Sequence, residues 1–252
     1  KIRIDLDGIE RRVRVFPVDE GRYYGILGVR GKAVIGMSTA FVESTVAQLY
    51  KVRDGDAYRL PVQELATGNG TTSLGPGEVL GFAMNAGMFH PDYAPVGLYR
   101  SGGVERGQLV TAGGGGNFGM RPNGVFCVGA KAPFQVIESR AFAKARPQCR
   151  IATQSGPMLV IDGALHPRFD ATSTSRYIRN GVGVSRDMKT AWFVISDRAV
   201  TFHEFARFFR DELGARNALY FDGSISRLYA PALNRADWGR TMGPIIGYVE
   251  QP

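Results

Sequence analysis

The sequence predicts an α+β domain built on a mixed, largely antiparallel sheet flanked by a few helices. Three observations lead there: many short apolar or alternating segments end in Gly, Asn, Asp or Pro; few segments carry helical spacing; and strands and helices do not alternate regularly, which argues against a doubly wound fold. With 252 residues, 44% of them hydrophobic, the chain has enough apolar side chains for one sizeable core. The expectation is a single domain over 1–252.

Residues 1–7 and 12–16 alternate polar and apolar side chains and read as half-buried strands of a hairpin or meander. After Ser38, the residues Phe41, Val42, Thr45, Val46, Leu49 and Tyr50 recur at helical spacing and predict a helix. Residues 51–77 are polar and rich in Gly and Thr, and read as a surface loop or insertion. Residues 79–84 form a buried-strand pattern that runs into Asn85-Ala-Gly-Met-Phe-His90-Pro-Asp92. Residues 96–99 and 104–110 flank Ser101-Gly-Gly103 as a hairpin. Gly113 to Gly116 lead into Asn117-Phe118 rather than the Lys-Ser/Thr of a P-loop, so they read as a connector.

Strand patterns continue at 123–128, 134–137 and 151–161, the last interrupted by Ser155-Gly156-Pro157 and turned by Asp162-Gly163. Residues 179–184 and 191–195 make a further hairpin. Residues 201–213 carry the clearest helix: Thr201 with Glu204 is a capping-box signature, Phe202, Phe205, Ala206, Phe209 and Leu213 share a face, and Gly214 stops it. It delivers the chain to the apolar run Leu219-Tyr220-Phe221, which ends abruptly at Asp222-Gly223.

Charge and composition limit the partners. Thirty-one basic against 23 acidic residues leave +8, which favours anionic ligands. The basic residues are scattered, with no Lys/Arg block, zinc-finger spacing or RNA-binding aromatic signature, so no nucleic acid is expected. No apolar run approaches the roughly 20 residues of a spanning helix, so no membrane span is expected. His90, His166 and His203 lack zinc-site spacing. Cys127 and Cys149 either join as a disulfide in an oxidising compartment or remain thiols in a reducing one.

The chemistry-bearing residues share one pattern: an apolar strand, a small residue, then Asn, Ser, Arg or Asp. Asn85, Asn123, Ser155, Arg179 with Asn180, and Asp222 all fit it. An Asp-Gly after a strand is also an ordinary turn. If these ends converge, they assemble amides and hydroxyls for a sugar, a guanidinium for an anion and a carboxylate for catalysis. Ser155 lies in Gln-Ser-Gly rather than a Gly-x-Ser-x-Gly elbow, and is not read as a nucleophile.

The segments Asn85-Ala-Gly-Met-Phe-His-Pro-Asp92, Val96-Gly-Leu-Tyr99, Gly116-Asn-Phe118, Arg121-Pro-Asn-Gly-Val-Phe126, Gln154-Ser-Gly-Pro157, Arg179-Asn-Gly-Val-Gly183 and Phe221-Asp-Gly-Ser224 resemble, in order, the motifs of the phosphodiester glycosidase family. The resemblance covers about 79–229 and leans toward a bacterial branch linked to exopolysaccharides. It implies hydrolysis of the bond between the anomeric carbon of an N-acetylglucosamine-like sugar and a phosphodiester. It also implies Asp222 as nucleophile or base, Arg179 as phosphate clamp, and Asn85 beside them. Gly87, His90, Asn123, Ser155, Gly156, Asn180, Gly181, Gly223 and Ser224 are the implied substrate-binding positions.

The second carboxylate that glycoside hydrolysis usually uses falls to Asp92 or Asp197. Two departures mark the chain: Asp222-Gly223-Ser224 stands where animal members have Asp-Gly-Gly-Gly-Ser, and Ala86 stands where a second glycine is common. The resemblance requires no cofactor. A metal-dependent phosphodiesterase would instead hold a divalent cation on Asp222, Asp92 and Asn85, and a non-catalytic protein for anionic glycans would use the same polar groups. The expected setting is periplasmic or secreted, because a start at Lys1 without Met is compatible with a removed signal peptide, as it is with a trimmed chain.

Overall fold

The computed structural model describes residues 22–28, 34–39, 47–53, 79–101, 104–129, 132–233, 235–237 and 242–250. The strand readings at 1–7 and 12–16, positions 41–46 of the helix reading and residues 54–77 of the loop reading lie outside them; residues 51–53 of that loop reading belong to a strand.

Strands β1 (Arg22–Gly28) and β2 (Val34–Thr39) form an antiparallel pair. A six-stranded sheet has the order β11-β10-β14-β12-β13-β3, from β3 (Ala47–Arg53), β10 (Met158–Ile161), β11 (Ala164–Leu165), β12 (Asn180–Val184), β13 (Thr190–Ser196) and β14 (Asn217–Tyr220). A five-stranded sheet runs β6-β5-β9-β7-β8, from β5 (Tyr99–Ser101), β6 (Val104–Arg106), β7 (Gly124–Gly129), β8 (Phe134–Glu138) and β9 (Cys149–Ser155). A four-stranded sheet runs β16-β15-β4-β17, from β4 (Val79–Asn85), β15 (Leu228–Ala230), β16 (Arg235–Ala236) and β17 (Ile245–Glu250). Every strand pair among the described residues is antiparallel.

The sheets are joined by a core that draws one face from each. Phe82 and Met84 come from β4, Phe126 and Val128 from β7, and Val182, Phe193 and Leu219 from the six-stranded sheet. Phe193 lies 5.1 Å from the Phe82 ring and 5.6 Å from Phe126, so one aromatic residue touches both other sheets. Removing such a ring costs about 3–5 kcal/mol, which fixes how the sheets sit on one another.

Alternation along β14 then sends Ala218 and Tyr220 to the opposite face, where Phe205, Phe208 and Phe209 of the helical segment cover it. On the outer face of the five-stranded sheet, Leu98, Val125 and Phe142 surround a Cys127–Cys149 disulfide between β7 and β9.

Helix α1 (Ser139–Ala145) begins at Glu138, whose carboxylate accepts the Ala141 N–H at 2.9 Å, and ends at Arg146 with φ +44°. Helix α2 (Phe202–Arg207) has the expected reciprocal cap: Thr201 Oγ1 accepts from Glu204 N at 3.1 Å and Glu204 Oε2 accepts from Thr201 N at 2.8 Å. Its last turn widens into a π-helical segment, Phe208–Glu212, and Gly214 at φ +60° stops it. No helix among the described residues is long and apolar enough to cross a membrane.

One expectation is corrected. Leu49 and Tyr50 belong to β3, paired with Val194 and Phe193 of β13, and not to a helix. Their segment satisfies a short helical spacing, but the edge of β13 supplies hydrogen-bond partners for Ala47–Arg53 and decides for a strand. Helix α1 was not foreseen: it is two turns long and its cap is a Glu within a strand pattern.

Candidate active site

Three strands deliver their ends to one place. β4 ends at Asn85, β12 begins at Asn180, and β14 runs through Phe221 to Asp222, where Phe221 N donates to Asn180 O at 3.0 Å and Asp222 N to Ala86 O at 3.0 Å. Asn85 and Asn180 are buried. Asn85 Nδ2 donates to the Asp222 carbonyl at 2.7 Å and to Asn180 Oδ1 at 3.2 Å, while Asn85 Oδ1 accepts from Arg227 N at 2.9 Å. Asn180 Nδ2 donates to Asn85 O at 2.8 Å, and its Oδ1 accepts from Ser226 Oγ at 3.0 Å. Both amides are thus committed to protein groups and act as a frame holding the exit of β14.

On that frame the Asp222 carboxylate is half-buried, and Oδ1 accepts the Ser224 N–H at 3.2 Å. No Lys, Arg or His among the described residues forms an ion pair with it. Burial raises its pKa above the ordinary carboxylate value, against the Ser224 hydrogen bonds that lower it. A desolvated, unpaired carboxylate is more basic and more nucleophilic than one in water.

Arg179 lies one residue before Asn180 and so faces the other side of the sheet. Its guanidinium is 1% exposed, with Cζ 3.7 Å from the Phe202 ring centroid. Nε donates to Val200 O at 2.8 Å, Nη2 to Ser175 O at 3.2 Å and Nη1 to Tyr220 Oη at 3.2 Å. No carboxylate hydrogen-bonds to it among the described residues. Burial pushes its pKa below the usual guanidinium value, against Tyr220, Tyr177 and the Glu204 carboxylate, which favour the cation.

Tyr220 links the two sides. Its phenol, pushed up to about 12 by burial, lies against Gly223, where an added Cβ would come within 1.5 Å of Oη. Arg179, Tyr220 and the Asp222-Gly223 turn therefore form a continuous path around the sheet end.

The remaining predicted positions separate into groups. Gly87 approaches β9 so closely that a Cβ would meet Gln154 O at 2.2 Å, and its N–H donates to Thr153 Oγ1 at 3.3 Å. Gly156 packs on Asn123, 2.6 Å from a built Cβ to Asn123 Cβ, and Asn123 Nδ2 donates to Phe118 O at 3.1 Å. Ser155 is fully buried with no partner for its hydroxyl. Gly181 lies inside β12, 2.5 Å from a built Cβ to Leu219 O, as a close strand contact. His90 is exposed in the loop after β4, where its N–H donates to Ala94 O at 2.8 Å; Ser224 is exposed.

Of the two candidate second carboxylates, Asp92 is exposed and accepts the Ala94 N–H at 3.1 Å, which shapes its loop. Asp197 accepts from Arg235 Nη1 at 2.7 Å; burial raises its pKa against the pull of Arg235. Among the described residues no three His, Cys, Asp or Glu are grouped to hold a cation.

Sequence reasoning missed Tyr220, Ser226 and Arg227. Tyr220 sits in an apolar run that reads as core, and the signal available was its position as the last tyrosine before a polar exit, where the ring packs and the hydroxyl finds partners. Ser226 and Arg227 carry no motif. A separate cavity of about 300 Å³, lined by Val136, Ile161, Val184 and Asn217 among others, opens at the far ends of β10, β12 and β14, away from Asp222.

The chain is 40% identical over 147 residues to YigE of Escherichia coli, a match covering 58% of this chain and 57% of that protein. The chain thus spans little over half the length of that relative. A 44-residue segment is 52% identical to the amino-acid carrier protein AlsT of Bacillus subtilis, covering 17% of this chain and 10% of that one, too little to bear on the fold. The catalytic domain of zebrafish N-acetylglucosamine-1-phosphodiester alpha-N-acetylglucosaminidase, auto-inhibited by its pro-peptide, superposes with a TM-score of 0.51 at 15% identity, covering 94% of this chain and 85% of that one. At that identity the likeness shows the fold. The family model for phosphodiester glycosidases matches residues 79–247, which include every polar strand end described above, and the chain belongs to the phosphodiester glycosidase family.

Proposed function

We propose that this protein is a hydrolase that cleaves the glycosidic bond of a sugar-1-phosphodiester, with an N-acetylglucosamine-like sugar, in bacterial envelope or exopolysaccharide material. The observation that carries the reading is Asp222: a half-buried carboxylate of raised pKa, without a cation partner among the described residues, on a turn fixed by Asn85.

The bond broken is that between the anomeric carbon and the bridging oxygen. Its electron pair leaves with the phosphomonoester, which is a good leaving group, so little proton donation is needed. The carboxylate either attacks the anomeric carbon or takes a proton from water that does so. Arg179, whose Nη1 donates to the Tyr220 hydroxyl, supplies positive charge from behind the site toward the phosphate, and Ser155, whose buried hydroxyl has no hydrogen-bond partner, is proposed as a ligand of the substrate. Asn85 and Asn180 are positioning residues. Asn123 supports the Gly156 turn, and Gly87, Gly181 and Gly223 permit the close backbone approaches. His90 and Ser224, both exposed, are proposed as rim contacts. The Cys127–Cys149 disulfide supports a periplasmic or secreted setting.

A panel of sugar-1-phosphodiesters, with products identified by mass spectrometry, tests the reading. Free sugar with a phosphomonoester is expected; sugar-1-phosphate with free alcohol would mean cleavage at phosphorus instead.

A further inference from the structure

His166 is 1% exposed at the head of the segment that runs from β11 to β12, most of which lies in solvent. Its Nδ1 accepts the Arg168 N–H at 3.2 Å, so in the neutral ring the proton sits on Nε2. That nitrogen is shielded from water and faces the Arg121 carbonyl without closing a hydrogen bond. The main chain of His166 is fixed as well: its N–H donates to Leu159 O at 3.1 Å and its carbonyl accepts from Phe169 N at 3.1 Å. The ring stacks on Phe169 at 4.7 Å, Phe169 stacks on Phe202 of α2 at 5.0 Å, and Phe202 meets Tyr220 edge-on at 4.7 Å. The far end of the segment returns to the same face. There the Ser175 carbonyl accepts from Arg179 Nη2 at 3.2 Å, Arg176 pairs with Glu204, and Tyr177 bridges to Val200. An exposed ion pair contributes little in water, so the buried ring carries the larger share of what holds the segment down.

We propose that His166 is an acid-released latch on residues 166–178: neutral, it pins the segment to β10 and α2; protonated, it leaves its pocket and lets the segment lift from that face. The inference is independent of the substrate reading above. A protonated imidazole donates from both nitrogens, so Nδ1 no longer accepts from Arg168 N, and a cation stands in a dry aromatic site. The groups around the ring do not offset this. Arg168 on the same segment repels the cation, and the Arg121 carbonyl, from the segment before β7, is the group that favours it. Asp170 is held by Thr172 and acts on His203 of α2, while Glu204 of α2 is committed to Arg176 and to the helix cap. Burial, the largest cause, holds the imidazole below its ordinary value of 6.5. The open segment therefore takes up the proton first as pH falls, and closure weakens from about 6.5 down to the folded value. Lifting the segment also removes the Ser175 carbonyl from Arg179, the guanidinium that reaches Tyr220.

Hydrogen exchange of the full chain, read by mass spectrometry at pH 7.5 and 5.0 and corrected for the intrinsic pH dependence of exchange, tests it. In wild type, exchange in peptides spanning 166–178 is expected to quicken at pH 5.0 by between about fivefold and about thirtyfold. The upper bound is what one histidine titrating at 6.5 in the open state supplies over that interval. Peptides of β12, β13 and β14 are expected to change less than about twofold. His166→Asn can accept from Arg168 N and His166→Phe can stack on Phe169, but neither takes up a proton, so each is expected to show the same protection at both pH values, whatever its level. His203→Asn is expected to keep the wild-type response. The imidazole resonances of wild-type His166 are expected to titrate in step with the exchange, a measurement that needs no variant. Equal protection of the wild-type segment at both pH values overturns the proposal, as does a ring that stays neutral while the segment opens. A parallel loss across the strands overturns it as well, because that is acid unfolding of the whole chain. So does a pH response that survives in both His166 variants or vanishes in His203→Asn, which would assign the proton elsewhere.

Discussion

Asn85 Nδ2 donates to the main-chain oxygen of Asp222 at 2.7 Å across 137 residues of sequence, and the same side chain accepts from Arg227 N on the way out of the turn. One amide therefore clamps both sides of the turn that carries the carboxylate. Asn85→Ala leaves the Asp222 carbonyl and the Arg227 N–H without this partner in a largely dry site, at about 1–3 kcal/mol for each group. We expect a loss of roughly 2–6 kcal/mol in urea unfolding at unchanged m-value, with activity falling further than the folded fraction. Wild-type stability in this variant would show that the clamp is incidental.

Gly223 faces the Tyr220 hydroxyl. A methyl group at Gly223 would sit 1.5 Å from Oη and 2.5 Å from Cζ, and the ring is enclosed by core residues on the helical side, so the turn must move instead. Gly223→Ala is expected to reduce kcat/KM at least a hundredfold, while Ser224→Ala, at an exposed position, changes it less than fivefold. Steady-state kinetics on purified proteins of matched melting temperature separates these outcomes; equal effects would deny the Tyr220–Gly223 contact a role.

The carboxylate that suits the chemistry burdens the fold. The folded-state pKa of Asp222 lies above its unfolded value, so the unfolded chain releases this proton first as pH rises, and stability falls across the interval from the ordinary value of 3.8 up to the folded one. Above that interval the penalty is complete and constant. Asp222→Asn, which cannot ionise, is therefore expected to melt a few degrees higher than wild type at pH 7, with the gap closing as pH approaches 3.8. Thermal melts across that range check it, and a less stable Asp222→Asn at pH 7 would contradict the desolvation argument.

Strand exits made much of the site legible. Asn85 and Asp222 each follow an apolar run and Asn180 opens one, and the fold brings those three positions together, with the Asn85 and Asn180 amides bonded to each other and to neighbouring backbone. What sequence alone could not convey was sidedness and commitment. Arg179 and Asn180 are neighbours, yet alternation places them on opposite faces, and only the path through Tyr220 joins them again. The amides of Asn85 and Asn180 read as ligand groups until their partners are seen. Leu49 and Tyr50 were misread because a short helical spacing was the only local signal, and the pairing with Val194 and Phe193 of β13 that overrides it is remote in sequence.

The central claim is that Asp222 drives cleavage at the anomeric carbon. Hydrolysis of a sugar-1-phosphodiester in ¹⁸O-labelled water, analysed by mass spectrometry, tests it most directly. The account predicts one ¹⁸O on the released sugar, none on the phosphomonoester, and no products from Asp222→Asn that still binds the sugar phosphate. Label in the phosphate, or undiminished turnover by Asp222→Asn, would contradict it.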